Sequence, residues 1–185
     1  MNKKQILAGA LFTSLGVTAL AAALSSGPGV GDSVYPFEPN HVTGPDQGTQ
    51  TCPVCKYGAT PAVQVWVNGD NIKNIVPIAL KLNENANKSN FRGFVVFLID
   101  PKEAAQTSKT LAAVAAKNKF NKVALTWLDK SSRSVSAYKV NTGSDVKNTV
   151  LVYKDRRVTQ KFVNLHSTKE GLGDLQAAIT QITTQ

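Results

Sequence analysis

The hydrophobic pattern along the chain predicts three buried strands. Ala62–Val67 is an apolar run that ends at Asn68-Gly69, a turn dipeptide. Residues 91–99 contain FVVFLI, a continuous apolar run typical of a strand buried on both faces of a parallel sheet. Residues 122–128 (KVALTWL) predict the third strand. Trp66 and Trp127 each lie within a predicted strand, and we expect both to belong to the core.

The segments between these strands have helical periodicity. Residues 70–87 carry Ile72, Ile75, Val76, Ala79 and Leu80 at helical spacing, with Asp70 as the expected cap and Pro77 inside the helix. Asp100-Pro101 opens a second helix over about 102–117. Residues 171–183 predict an amphipathic closing helix.

A β-hairpin precedes the closing helix. Residues 149–153 (TVLVY) and Arg157–Val163 flank Lys154-Asp155-Arg156, a charged turn. The order is therefore βαβαβ, then a hairpin, then α. Strand–helix–strand alternation requires right-handed crossovers and a mostly parallel sheet. The prediction is an α/β three-layer sandwich with a C-terminal antiparallel hairpin and a closing helix.

The N-terminal 50 residues predict an export segment and an arm. MNKK and the uncharged run 6–24 indicate a signal peptide over residues 1–23, with an A-x-A site at 21–23. The run is long for a signal, so an uncleaved membrane anchor is the alternative. Residues 24–50 contain five Gly and four Pro, which favours an arm rather than a helix. Val34, Tyr35 and Phe37 are its candidate anchors to the domain, which occupies 51–185.

Composition narrows the class of partner. The net charge is +9, and it is +7 without residues 1–23, which hold two lysines and no acid. No block of five Lys or Arg occurs, and few aromatics alternate with the basic residues. We therefore expect a basic exported protein, periplasmic or secreted, that does not bind nucleic acid. No spacing typical of a serine hydrolase, a phosphate loop or a paired-carboxylate site stands out, and no cofactor is expected.

The order of elements resembles the thioredoxin fold. VALTWLDKSSRSVSAYKV, TVLVYKDRRVTQKFVNL and the leader VGDSVYPFEP resemble the redoxin branch, which comprises peroxiredoxins and exported thiol–disulfide oxidoreductases. The resemblance covers roughly residues 30–183. It implies a thioredoxin-like fold and, for the activity, thiol–disulfide exchange with a protein partner.

The family's catalytic positions are empty in this chain. In thioredoxins, Cys-x-x-Cys lies between the first core strand and the proline-containing helix. That alignment places the two positions at Gly69 and Ile72, so the loop has no thiol. Asp70 in this loop favours helix capping over anion binding. The family's cis-proline would stand just before Thr149, where this chain has Asn148.

The two cysteines, Cys52 and Cys55, precede the first core strand. Their spacing allows easy closure, Pro53 restricts the loop, and Lys56 would favour a thiolate on Cys55. We predict thiol–disulfide exchange at this pair, with Cys52 as the nucleophile by resemblance. One alternative is a structural disulfide in a non-catalytic binding or scaffold domain.

A metal site is the other alternative for the cysteines. Two Cys with His41 and His166 form a ligand set for zinc or copper(I). Haem attachment is excluded because Lys56 stands where Cys-x-x-Cys-His requires histidine. The basic hairpin residues Lys154, Arg156, Arg157 and Lys161 favour a solvated turn over a patch for an acidic partner or lipid headgroups.

Overall fold

A single six-stranded mixed sheet forms the centre of the molecule. The computed structural model describes residues 24–184. In chain order the strands are β1 (Asn40–His41), β2 (Ala62–Val67), β3 (Arg92–Ile99), β4 (Ala124–Asp129), β5 (Asn148–Lys154) and β6 (Arg157–Val163), and they lie side by side as β1-β4-β3-β2-β5-β6. β2, β3 and β4 are parallel, and the remaining pairs are antiparallel. The predicted parallel centre and antiparallel hairpin are confirmed.

The three long helices cover one face of this sheet. The helices are α1 (Pro53–Tyr57), α2 (Ile72–Lys88), α3 (Ala104–Asn118, after a 3₁₀ turn at Pro101–Glu103), α4 (Arg133–Ala137) and α5 (Lys169–Thr183). The connections from β2 to β3 and from β3 to β4 step in the same direction, so right-handed crossovers place α2 and α3 on the same side. α5 joins them in a common core with Val63, Val65 and Val67 of β2.

The opposite face is covered by the N-terminal leader together with α1 and α4. Val34 and Phe37 of the leader are buried there, whereas Tyr35 is exposed. Phe37 packs on Trp66 and Trp66 on Tyr138, with ring centroids 4.9 and 4.7 Å apart. The Tyr138 hydroxyl donates a hydrogen bond of 2.6 Å to the carbonyl of Tyr35. Burial raises the pKa of Tyr138, so this hydroxyl keeps its proton and remains a donor.

The predicted arm is thus closely associated with the domain. Its residues 40–41 form β1, which pairs antiparallel with β4, and Ser33 forms a bridge with Arg157. A leader rich in Gly and Pro can follow the surface of a sheet because it lacks the regular backbone hydrogen bonds of a helix.

Two details of the predicted elements were wrong. Asn71, not Asp70, caps α2, and its side chain accepts a hydrogen bond from the Lys73 N–H. No element was predicted between the third strand and the hairpin, but that stretch contains α4, which is capped by Ser132. Five residues are too few for helical periodicity to be visible in the sequence.

The basic hairpin residues have structural contacts of their own. Asp155 and Arg156 have φ angles of 52° and 60°, the left-handed geometry that a tight hairpin turn requires. Arg157 donates to the carbonyl of Gly31, and Lys161 donates to the carbonyl of Gly27. Both side chains therefore fasten the leader to the hairpin. This role favours neither a patch for lipid headgroups nor a patch for an acidic partner.

β3 and α2 approach each other closely at Gly93, and a substitution there tests this packing. A Cβ at this position would lie 2.8 Å from the Cβ of Leu82, nearer than two such carbons approach. We expect Gly93→Ala to lower the free energy of unfolding by about 1–3 kcal/mol, measured by urea denaturation. Gly173→Ala is the matched control, because its Cβ meets nothing within 4 Å. Because this position is exposed in α5, Gly173→Ala should raise the free energy of unfolding by about 0.5–1 kcal/mol. Equal effects of the two changes would contradict the packing described here.

Candidate functional site

The Cys-x-x-Cys pair forms a disulfide at the start of α1. Cys52 and Cys55 are bridged, with their Cα atoms 5.3 Å apart. Cys52 is the N-cap of α1 and Pro53 occupies its first turn, where a missing N–H costs nothing. The backbone N–H of Cys55 donates to Cys52 Sγ at 3.1 Å. This hydrogen bond would stabilise a thiolate on Cys52 once the bridge is reduced.

The two cysteines differ in exposure. Cys52 is half-buried and packs against the core of the leader-covered face, while Val54 between them is only 1% exposed. Cys55 is exposed to solvent. An incoming thiolate therefore has access at Cys55, and Cys52 is the less accessible partner.

The disulfide lies at the amino ends of the parallel strands. α1 precedes β2, and the loop 69–72 follows it, so the six residues of β2 separate the two by about 20 Å. The vacant family position is thus at one edge of the sheet and the cysteines are at the other. Pro61 and Arg92, joined by a backbone hydrogen bond of 3.0 Å, mark the cysteine edge.

Lys56 is engaged by a carboxylate that the sequence did not point to. Its ammonium donates to Asp46, and this hydrogen bond raises the pKa of Lys56. Asp46 lies ten residues earlier, in a Gly-Pro-Asp turn that by itself indicates only a loop. Because Asp46 offsets the charge of Lys56, the lysine favours a Cys55 thiolate less than its position in the sequence suggested.

His41 supports the segment that leads to the cysteines. The ring is 4% exposed, and its Nε2 lies 2.8 Å from the carbonyl oxygen of Thr51, the residue before Cys52. If Nε2 carries the proton, it donates to this carbonyl. His41 therefore contributes to holding the loop in place.

The predicted four-ligand metal site is not assembled. His166 follows β6 at the edge of the sheet that holds loop 69–72, far from the cysteines. No group of three or more His, Cys, Asp or Glu residues within 24–184 could hold a metal ion. The two sulfurs are also bonded to each other and so are not available as thiolate ligands.

A polar network fills the region where the family has its active site. Asn148 donates to Asp70 Oδ2 at 2.6 Å and to the carbonyl of Leu165 at 3.0 Å, and its Oδ1 accepts from the N–H of Leu165. Asn74 of α2 donates to the same two acceptors. Asp70 therefore joins α2, β5 and the segment after β6. This is its role in place of the predicted helix cap.

Sequence comparisons find no relative: no family model and no curated protein matches the chain. Solved structures do match. They include peroxidoxin BcpB from Mycobacterium tuberculosis, at 18% identity and a TM-score of 0.57 over 83% of this chain and 97% of that one. A protein assigned as the thiol:disulfide interchange protein DsbE from Chlorobium tepidum aligns at 13% identity and a TM-score of 0.59, over 83% of this chain and 97% of that one. A protein assigned as a protein disulfide isomerase from Bacteroides thetaiotaomicron aligns at 9% identity and a TM-score of 0.62, over 88% of this chain and 96% of that one.

These neighbours establish the fold. The chain has a thioredoxin-like fold, as its sequence predicted. At these identities the likeness carries no residue roles, so membership of the redoxin branch stays a prediction. In the described part of the chain, residues 24–184, no helix has both the length and the apolarity to span a bilayer. The predicted signal peptide lies outside that part.

The network around Asn148 makes a prediction about stability. Asn148 is 1% exposed, so Asn148→Ala leaves Asp70 and the backbone of Leu165 with lost partners. We expect it to lower the free energy of unfolding by about 1–3 kcal/mol in urea titrations. Asn121→Ala is the control, because this residue is exposed and its side-chain amide contacts only Asn87. We expect it to lower the free energy of unfolding by about 0.5 kcal/mol or less. A loss at Asn148 no larger than at Asn121 would show that the network does not hold this region.

Proposed function

We propose that this protein is an exported thiol–disulfide exchange protein that acts through Cys52 and Cys55. The observation that carries the proposal is a closed Cys-x-x-Cys bridge with one exposed cysteine on a thioredoxin-like fold. Export rests on the predicted signal over residues 1–23 and agrees with a bridge that persists outside the cytoplasm. Solved neighbours assigned as thiol:disulfide interchange and disulfide isomerase proteins agree with redox chemistry in general.

The geometry supports one order of events. A partner thiolate attacks the exposed Cys55 Sγ, the Cys52–Cys55 bond breaks, and Cys52 leaves as a thiolate that accepts the N–H of Cys55. A second partner thiolate then attacks the partner sulfur of the mixed disulfide, Cys55 leaves, and the partner becomes a disulfide. Two electrons pass from the partner to the protein. In the reverse direction Cys55 attacks the partner disulfide and Cys52 resolves the intermediate.

This order differs from the one that the resemblance implied. The resemblance made the first cysteine, Cys52, the residue that meets the partner. Here the second cysteine is the exposed one, and the first is half-buried against the core of the leader-covered face. We therefore assign attack on the partner to Cys55 and resolution to Cys52.

A non-catalytic binding or scaffold domain is the second candidate. It is favoured by the filled region around Asp70 and Asn148, where the fold usually carries its chemistry. In that case the bridge would only fasten α1. A short loop gains little entropic stabilisation from closure, which argues against a purely structural bridge.

Single-cysteine variants test the assignment. Cys52→Ser keeps the exposed thiol but removes the resolving one, so it should trap mixed disulfides with a peptide disulfide. Cys55→Ser, its matched control, should form such adducts at least about tenfold more slowly, because Cys52 is half-buried. Intact-mass analysis over time measures both. Faster trapping by Cys55→Ser would reverse the roles, and no trapping by either variant would favour the scaffold.

A further inference from the structure

A cavity of about 360 Å³ lies at the amino ends of β3 and β4, and Lys56 and Tyr57 of α1 are among its lining residues. Its charged lining residues are Lys56, Arg92 and Lys122, and none of its lining residues is acidic. Tyr57 and Phe91 supply apolar walls. The cavity therefore combines a positive potential with surface that excludes water, and such a site favours anions.

Two of the three cations are unneutralised. Lys56 pairs with Asp46, just outside the cavity. Arg92 and Lys122 form no ion pair with any carboxylate among residues 24–184. The cavity thus keeps an excess of two positive charges after the pairing of Lys56 is counted.

Arg92 is held in place before any ligand binds. Its guanidinium lies 5.6 Å from the centre of the Tyr57 ring, and its Nη1 donates to the carbonyl of Phe91 at 2.9 Å. The other guanidinium N–H groups remain to bind a carboxylate, for which the planar fork of arginine is well matched. A prepositioned arginine loses less conformational entropy on binding than a free one.

The cavity and the disulfide are connected through the sequence of α1. Lys56 and Tyr57 line it and directly follow the exposed Cys55 in α1. A peptide whose cysteine joins Cys55 would extend its neighbouring residues along this surface at about 3.3–3.6 Å per residue. Side chains one or two residues from the partner's cysteine are those that such a peptide would bring nearest to Lys56 and Tyr57.

We propose that this cavity selects the partner: it binds carboxylate side chains that flank the reactive cysteine of an acidic peptide segment. The inference rests on the proposed exchange function and names the substrate class of that same site. Arg92 and Lys122 bind the carboxylates, and Cys55 exchanges with the adjacent sulfur.

Three peptides that differ only in charge test the proposal. Each has blocked ends and one cysteine flanked by two Glu, two Gln or two Lys, activated as a mixed disulfide with 2-thiopyridine. Cys55 of the reduced full-length chain attacks the peptide sulfur and 2-thiopyridone leaves. Cys52 then attacks Cys55, the peptide thiolate leaves, and the protein disulfide re-forms. Release of 2-thiopyridone gives the rate constant.

We expect the Glu peptide to react about tenfold faster than the Gln peptide at low ionic strength, and the Lys peptide to react most slowly. High salt should remove the difference in rate between the peptides, because it screens the interaction between their charges and those of the cavity. Arg92→Gln with Lys122→Gln should abolish the preference, so that the Glu and Gln peptides react at the same rate. Lys109→Gln with Lys169→Gln, two exposed lysines outside the cavity, is the control for net charge and should keep the preference.

The free peptide TCPVCKYG, residues 51–58 in reduced form, separates the two levels of the proposal. If the chain reacts no faster than this peptide with all three substrates, the exchange function itself fails. If it reacts faster with all three by one common factor, exchange stands and the acidic-partner inference is overturned. A preference for Glu that survives in the Arg92 and Lys122 variant also overturns it.

Discussion

Burial of β2 on both faces is the constraint on which the arrangement of this protein depends. Every residue of this strand is buried, and it pairs in register with β3 on one side and β5 on the other. Val63, Val65 and Val67 face the long helices, and Ala62 and Trp66 face the leader. A shift by one residue would exchange the two faces, so the register is strongly fixed. The strand thereby fixes the positions of the segments at its two ends.

Those two ends have different roles here. The loop after β2 is where the thioredoxin-like fold usually carries cysteines, and in this chain Asp70, Asn74 and Asn148 fill the region with mutual hydrogen bonds. The segment before β2 carries the Cys52–Cys55 bridge, supported by His41 and by the Asp46–Lys56 pair. The proposed redox chemistry therefore lies at the amino edge of the sheet, apart from the position that the resemblance implied.

Much of the fold could be predicted from the sequence because its signals are local. Apolar runs predicted β2 and β3, the charged turn predicted the hairpin, and helical spacing predicted α2 and α5. α4 and the correct cap of α2 were missed, since a five-residue helix has no visible period and Asp70 and Asn71 are both good caps. The leader's place over Trp66 was only suggested by three apolar residues.

The site was less accessible to sequence reasoning, because its parts meet only in the fold. The cysteines and the empty Gly69 and Ile72 positions could be read from their spacing. Asp46, ten residues before Lys56, and Arg92, at the start of β3, both contact α1 in the fold. Neither residue belongs to a sequence motif. Which cysteine is exposed depends on how α1 packs. The metal site is not assembled because His166 lies at the opposite edge of the sheet from the cysteines.

The reduction potential of the Cys52–Cys55 couple, together with its rate of exchange with a dithiol in metal-free buffer, tests the central claim most directly. Our account predicts a potential above about −300 mV and ready exchange, as expected of an accessible redox pair. A potential below about −300 mV with slow exchange would identify a structural bridge and contradict the account.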